Sequence, residues 1–152
     1  MKNCLFLLIF SLINGVSFNS FSQNNFLQFT GKITEGIKGI AGVQIIVKGE
    51  KMKRPKKVFS FGDGTFNLQL QLNDDYLISY VKKKYHKKMV EISTKVEGKL
   101  QDEDFEPYKF NIALVKISDT LNYNPEKPVA KIRYCTKEEM FDYDKEYKNI
   151  IN

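Results

Sequence analysis

The chain has no tryptophan, a single histidine and two cysteines among its 152 residues, and each shortage closes off some chemistry. A catalytic zinc site needs about three protein ligands, mostly imidazole with a carboxylate. The lone histidine, His86, instead stands among Lys82, Lys83, Lys84, Lys87 and Lys88, where a metal cation is repelled. A serine or cysteine triad needs a histidine base steered by a carboxylate, and no acidic residue adjoins His86. Cys4 precedes an apolar run at the N-terminus, which leaves Cys135 alone in the body of the chain and excludes an internal disulfide there. An intermolecular bridge or a reactive thiol is one reading of Cys135; a small half-buried apolar side chain after Tyr134 is the plainer one. No glycine-rich phosphate loop is present. Asp63-Gly64 lacks the further acidic ligands and closing glutamate of a calcium loop. No metal or cofactor is expected. Asp102, Glu103, Asp104 and Glu106 have the right groups for paired-carboxylate glycoside hydrolysis, but a solvated acidic loop accounts for them more simply.

What is present fits a folded domain: 42% of residues are hydrophobic, 13% aromatic and 28% charged, enough apolar material for one core. The formal charge is +6, which favours polyanions without selecting one. Lys2, the apolar run from Leu5 to Leu12 and the small residues of Ser20-Phe21-Ser22 form the layout of a secretory signal peptide, with cleavage expected between Ser22 and Gln23. A membrane anchor is the competing reading, but a spanning helix needs about 20 mostly apolar residues and this run is diluted too soon. The mature chain is expected to be exported to the periplasm, cell envelope or exterior, with no membrane span. The expected division is signal peptide 1–22, folded domain 23–118 and a tail 119–152.

Beyond the leader the pattern is strand, turn, strand. Leu27, Phe29, Gly31 and Ile33 alternate with polar residues, the two-residue period of a half-buried strand. After the glycine-rich turn Glu35 to Gly42, Val43 to Lys48 is β-branched and strand-like. Gly49 to Lys57 reads as a basic loop in which Pro55 cannot donate to a ladder. Val58 to Phe61 gives a third strand, and Gly62-Asp63-Gly64 a tight turn. Thr65 to Leu72 then places Phe66, Leu68, Leu70 and Leu72 on one face. Tyr76 to Val81, Met89 to Ile92 and Tyr108 to Ile117 complete seven strands, with turns about every ten residues and no helical period between them. Two facing sheets must hide those apolar faces, so the expected fold is an all-β sandwich with Greek-key connections. In the tail, Val129 to Tyr134 could add an edge strand. Thr136-Lys137-Glu138-Glu139 fits a capping box for a short helix docking through Phe141 and Tyr147.

The runs Phe29 to Thr34 and Ile40 to Gly49, the turn Ser60 to Phe66, and Leu77 to Val81 followed by Tyr85 to Ile92 together resemble the carboxypeptidase-regulatory-like family over about Phe26 to Val96. Gly42 and Gly64 match its turn glycines, and Phe66 and Tyr85 its large core residues. Phe61 stands where the family usually has aspartate and Lys84 where it usually has glycine. The resemblance implies a seven-stranded transthyretin-like sandwich, such as occurs in small secreted proteins of Bacteroidetes-type bacteria.

Function is then expected to be non-enzymatic: a binding or structural module of the cell envelope, contacting an envelope protein or an anionic glycan or lipid, and not nucleic acid. Candidate anion-contacting residues are Lys51, Lys53, Arg54, Lys56 and Lys57 in one segment and Lys82, Lys83 and Lys84 in another. A solvated surface is the plainer reading of both. If successive strands alternate direction, the two clusters fall at opposite ends of the sandwich. The alternatives are an enzyme, glycan-hydrolase-like, built on the acidic-loop carboxylates, and a binder of anionic lipid or glycan through the basic loops.

Overall fold

The computed structural model describes residues 25–96 and 105–149, and among them there is no helix. The expected signal peptide with its Ser22-Gln23 cleavage point lies outside the described residues, as do Asp102, Glu103 and Asp104. The strands are β1 (Phe26–Glu35), β2 (Lys38–Gly39), β3 (Gln44–Gly49), β4 (Lys56–Phe59), β5 (Thr65–Gln71), β6 (Asp75–Val81), β7 (Lys88–Ser93), β8 (Tyr108–Lys109), β9 (Ile112–Ala113), β10 (Ala130–Cys135) and β11 (Met140–Tyr143).

They form two sheets. In the first, β1 is central: β5 pairs with it antiparallel along one side, and β8 and β9 pair with it in parallel. The short β2 folds back on the end of β1. The second sheet runs β11-β10-β7-β6-β3-β4. Its neighbours are antiparallel except for β10, which lies parallel to β7.

Alternation along each strand decides which side chains meet between the sheets, because successive residues point to opposite faces. Phe29, Ile33, Phe66, Leu68 and Leu70 from the first sheet close on Ile45, Val47, Tyr76, Ile78, Tyr80, Val90, Ile92 and Ile132 from the second, all buried. Phe66 links the layers: its ring lies 5.8 Å from Phe29 and 5.8 Å from Tyr80. A second, smaller cluster of Leu27, Leu72, Val96 and Phe141 closes the far end, with Phe105 and Tyr134 packed edge-on against Phe141.

Two glycines are fixed by this packing. Gly31 occupies an inward position of β1, and a Cβ there would stand 1.8 Å from the carbonyl oxygen of Phe110. The returning chain presses onto β1 at that point: the Phe110 N–H donates to the Thr30 carbonyl and the Lys32 N–H to Asn111 Oδ1. Gly64 has φ +85°, and a Cβ would lie 2.4 Å from the Ile33 carbonyl oxygen. Both the dihedral and the contact exclude a side chain.

The all-β expectation holds, but the described residues form eleven strands where seven are expected, β4 begins at Lys56 rather than Val58, and two further details differ. The expected strand Tyr108 to Ile117 is two short strands, because the chain breaks its ladder at Phe110-Asn111 to pass over Gly31. The C-terminal helix is absent. Thr136 to Glu139 forms the turn of a hairpin instead, with Cys135 opposite Met140 and Glu139 in the left-handed region at φ 53°. The free edge of β10 gains a ladder from β11 that no helix would supply, and Phe141 is buried from a strand. Phe141 and Tyr147 do contact the sandwich, but from a strand and a turn rather than a helix: the half-buried Tyr147 donates its hydroxyl to the Pro128 carbonyl at 2.8 Å.

Replacing Gly31 by alanine is expected to cost about 1–3 kcal/mol, the range for forcing atoms into a filled interior. Gly62→Ala, with nothing within 4 Å of the added methyl, serves as the neutral comparison. Urea denaturation of both variants measures the difference.

Candidate functional site

The two basic segments lie at opposite ends of the sandwich. β3 and β4 run antiparallel with Gln44 opposite Phe59 at one end and Val47 opposite Lys56 toward the other, so the β3–β4 loop carrying Lys51, Lys53 and Arg54 hangs from the end beside the β5–β6 turn. Lys51 is tied down there. Its N–H donates to both carboxylate oxygens of Asp74, at 3.2 and 3.3 Å, and its ammonium donates to the Asn73 carbonyl. Lys53 and Arg54 are exposed, and Lys56 and Lys57 stand on β4 rather than in a loop. Lys82, Lys83 and Lys84 follow β6 at the other end. The Lys82 ammonium donates to the carbonyls of Ala41 (2.8 Å) and Gly42 (3.2 Å), so it braces the turn before β3. Lys83 and Lys84 are exposed; Lys84 has φ +73°, and its carbonyl accepts the Ile117 N–H. Lys88 departs from the other lysines: it is half-buried, its ammonium 4.8 Å from the centre of the Tyr123 ring, and burial lowers its pKa.

Among the described residues the buried Ser60, Thr94 and Asp74 side chains serve the backbone, whereas the buried hydroxyls of Tyr80 and Tyr123 have no hydrogen-bond partner. Ser60 Oγ donates to the Ile40 carbonyl and accepts the Val43 N–H. Thr94 Oγ1 accepts the Asp74 N–H and donates toward the Gln71 and Asp74 carbonyls. The Asp74 carboxylate, 3% exposed, takes the N–H groups of Lys51 and Asp75. Such donors satisfy a carboxylate without a counter-ion.

Glu35, Tyr85 and Lys116 clamp the end that carries Lys82 to Lys84. The Tyr85 hydroxyl donates to one Glu35 carboxylate oxygen and the Lys116 ammonium sits on the other. The Lys116 bond, then the Tyr85 bond, lower the Glu35 pKa below its usual 4.5, and the same contacts raise Tyr85 and Lys116. His86 hangs from the same loop, its N–H donating to the Val115 carbonyl.

Two surface features had no sequence signal. The first is an open lateral edge. Leu72 N–H bonds to the Asn25 carbonyl and Ile33 N–H to the Gly64 carbonyl. By antiparallel alternation, the main-chain groups of Phe66, Leu68 and Leu70 therefore face β1, and those of Asn67 and Gln69 point away. Among the described residues no strand pairs with that outer edge. Beside it a cleft of about 100 Å³ opens between the sheets, lined by Val47, Met52, Leu68, Leu70 and Tyr76, with Lys56 at its rim. The second is a shallow depression of about 570 Å³ on the outer face of the second sheet, which mixes Lys48, Glu50, Asp75, Leu77, Glu91 and Lys95. Its charges are largely paired: Asp75 with Lys95, and Glu91 with Lys131 at 3.1 Å. The acidic run contributes one described residue, Glu106, which is exposed. Cys135 is half-buried, its thiol on the Glu138 carboxylate.

Compared with known proteins, the chain matches no family model and no curated protein. Among solved structures it is similar to a chain titled "Crystal Structure of S.CueP", at 12% identity and a TM-score of 0.39. That similarity covers 59% of this chain and 61% of the other. A likeness so slight carries no argument about function.

The clamp makes a pH prediction. A carboxylate with a lowered folded pKa adds stability that is complete above its unfolded value and is lost as pH falls through the folded one. Wild type is therefore expected to exceed Glu35→Gln in stability near pH 7, and the gap to close on acidification below the usual 4.5. Urea melts of the two proteins from about pH 7 to about pH 2 read this out.

Proposed function

We propose that the chain is an exported, non-enzymatic module of the cell envelope that works by contact, adding an extended segment of an envelope protein to the free edge of β5. The unpaired edge carries this reading. Edge strands are usually guarded by lysine, proline or a bulge. Asn67, Gln69 and Gln71 are uncharged and exposed, whereas β4, the edge of the other sheet, has Lys56 and Lys57 and follows Pro55. Strand addition draws affinity from main-chain bonds and specificity from pockets for alternate side chains. The cleft of Val47, Met52, Leu68 and Leu70 beside β5 is of a size for one apolar side chain.

The use of Ser60, Asp74 and Thr94 as backbone anchors supports a module without catalysis, since these three side chains are committed to holding loops. The resemblance to the carboxypeptidase-regulatory-like family supports the same role, as does the signal-peptide layout for an envelope location. The sandwich contributes no helix long and apolar enough to cross a membrane among the described residues.

Proline at position 69 tests the edge. The Gln69 N–H faces outward, so Gln69→Pro removes a donor that the fold does not use and is expected to cost about 1 kcal/mol or less. Leu68→Pro breaks a bond to β1 and is expected to cost about 3 kcal/mol or more. In hydrogen exchange, the Asn67 and Gln69 amides should exchange fast in the free chain and become protected with envelope extract, and Gln69→Pro should abolish that protection. Protection that survives in the folded Gln69→Pro variant, or none in wild type, rejects strand addition.

A further inference from the structure

The end of the sandwich that carries Lys82 to Lys84 also gathers most of the large apolar side chains left in water. Six are exposed in the described chain; Ile37 (101%), Phe59 (60%), Phe61 (64%) and Ile117 (61%) stand together at this end, while Met140 and Tyr143 lie on the C-terminal hairpin. Hydrogen bonds and close approaches tie the four to one another's loops. Ile37 sits on the β1–β2 turn, whose Gly39 approaches the Asp63 carbonyl. Phe59 and Phe61 flank Ser60, which bonds the Ile40 carbonyl. Ile117 N–H donates to the Lys84 carbonyl, and Lys116 beside it holds Glu35 on the β1–β2 turn.

Exposed cations share this end. Lys38, Lys83, Lys84 and Lys87 are exposed, and none pairs with a carboxylate among the described residues. The acidic groups nearby are engaged: Glu35 with Lys116 and Tyr85, Asp63 with the N–H and hydroxyl of Thr65, and Asp119 with the Ser118 hydroxyl. Lys84 is held at φ +73°, a conformation that glycine would adopt more cheaply.

We infer that this end docks on an anionic bilayer surface, with Ile37, Phe59, Phe61 and Ile117 entering the headgroup boundary and the free lysines at phosphate level. A protein interface needs a contiguous apolar centre. Here the four apolar groups are spread over three segments, Ile37 on the β1–β2 turn, Phe59 and Phe61 about Ser60, and Ile117 after β9, with exposed lysines at the same end. An interfacial layer accommodates that arrangement because each segment inserts its own side chains. Charge complementarity favours anionic lipid, and each lysine near such a surface adds attraction that falls off within a Debye length. The opposite end has Lys53 and Arg54 and, among the described residues, one exposed large apolar side chain, Met140, on the C-terminal hairpin at the other edge of the same sheet. It therefore offers a single anchor away from its exposed cations where this end offers four. The inference draws on the envelope reading for its compartment only, and it uses a surface separate from β5.

The test uses the chain from Gln23 onward, since the buried clusters lie wholly within Leu27 to Phe141 and the apolar N-terminal run would bind vesicles by itself. Binding is measured by flotation with phosphatidylcholine vesicles, with and without about a third phosphatidylglycerol. Wild type is expected to bind the anionic vesicles about tenfold more tightly, and less so as salt rises. The paired variants Phe59→Ser with Phe61→Ser, and Lys83→Glu with Lys84→Glu, should each weaken binding about fivefold or more. Lys53→Glu with Arg54→Glu at the far end, and Gln69→Pro on β5, should bind as wild type does. Because the chain has no tryptophan, Phe61→Trp supplies a single reporter whose emission should shift to the blue on anionic vesicles alone. Equal binding to neutral vesicles, no binding, or an equal loss from the far-end variant overturns the inference. So does unchanged binding in the serine pair, which would mark a plain polyanion site, matched by equal affinity for soluble heparin. Thermal melts confirm that each variant is folded.

Discussion

The contact of Phe29, Phe66 and Tyr80 sets the spacing on which the rest of the sandwich depends. Phe29 and Phe66 rise from paired strands of one sheet and Tyr80 from the centre of the other, so the three rings span the gap between layers. Sheets pack about 10 Å apart, and with no tryptophan only phenylalanine and tyrosine can fill that depth with a single side chain. The tilted and edge-on angles, 41° and 63°, are those that aromatic quadrupoles prefer. With the layer thickness fixed, β1 has room for the returning chain only where its side chain vanishes. Gly31 is that place, and Phe110 crosses it to stack 6.0 Å from Phe29.

Polar anchors then hold the connections at both ends. Ser60 locks the β2–β3 and β4–β5 connections together at one end, while Asp74 and Thr94 lock the β3–β4 and β5–β6 turns at the other. Each anchor acts mainly through main-chain groups, so the loops keep their course whatever side chains they bear. Such an arrangement separates the work of folding from the work of contact: buried hydroxyls and a carboxylate fix the backbone, and exposed lysines and phenylalanines stand on top of it. The Asp74 carboxylate, surrounded by N–H donors, adds its field to burial in raising the Tyr76 hydroxyl to about 12.

Much of this architecture was legible in the sequence. Strict alternation in Thr65 to Leu72 named Phe66, Leu68, Leu70 and Leu72 as inward, and all four are buried. Gly42 and Gly64 were read as turn glycines and have φ +62° and +85°. The separation of the two basic clusters followed from strand direction. What could not be read was long-range pairing. Nothing local marks Tyr108 to Ile117 as broken over Gly31, because the obstacle is a residue far away in the chain. The C-terminal capping box gave a sound local signal for a helix, and the open edge of β10 overrode it. The contact surfaces were half visible. Lysines announce themselves in a sequence, and Phe61 and Lys84 stood out as departures from a familiar pattern. The free outer edge of β5 and the exposure of Ile37 and Phe59 exist only once the sheets are assembled, for a phenylalanine in an alternating strand reads as core until its neighbours are known.

The parallel seating of β10 on β7 has a consequence for the order of events during synthesis. β7 emerges with one edge already paired to β6 and the other bare, and the strand that covers it begins only at Ala130. β10 is in turn bare until Met140 to Tyr143 arrive, so β11 closes that flank of the six-stranded sheet. A ribosome stalled or a protease cutting before Tyr143 leaves a nearly finished sandwich with a sticky flank. The seal therefore rests on Met140–Tyr143, and loss of that strand would show first as self-association through the exposed flank of β10.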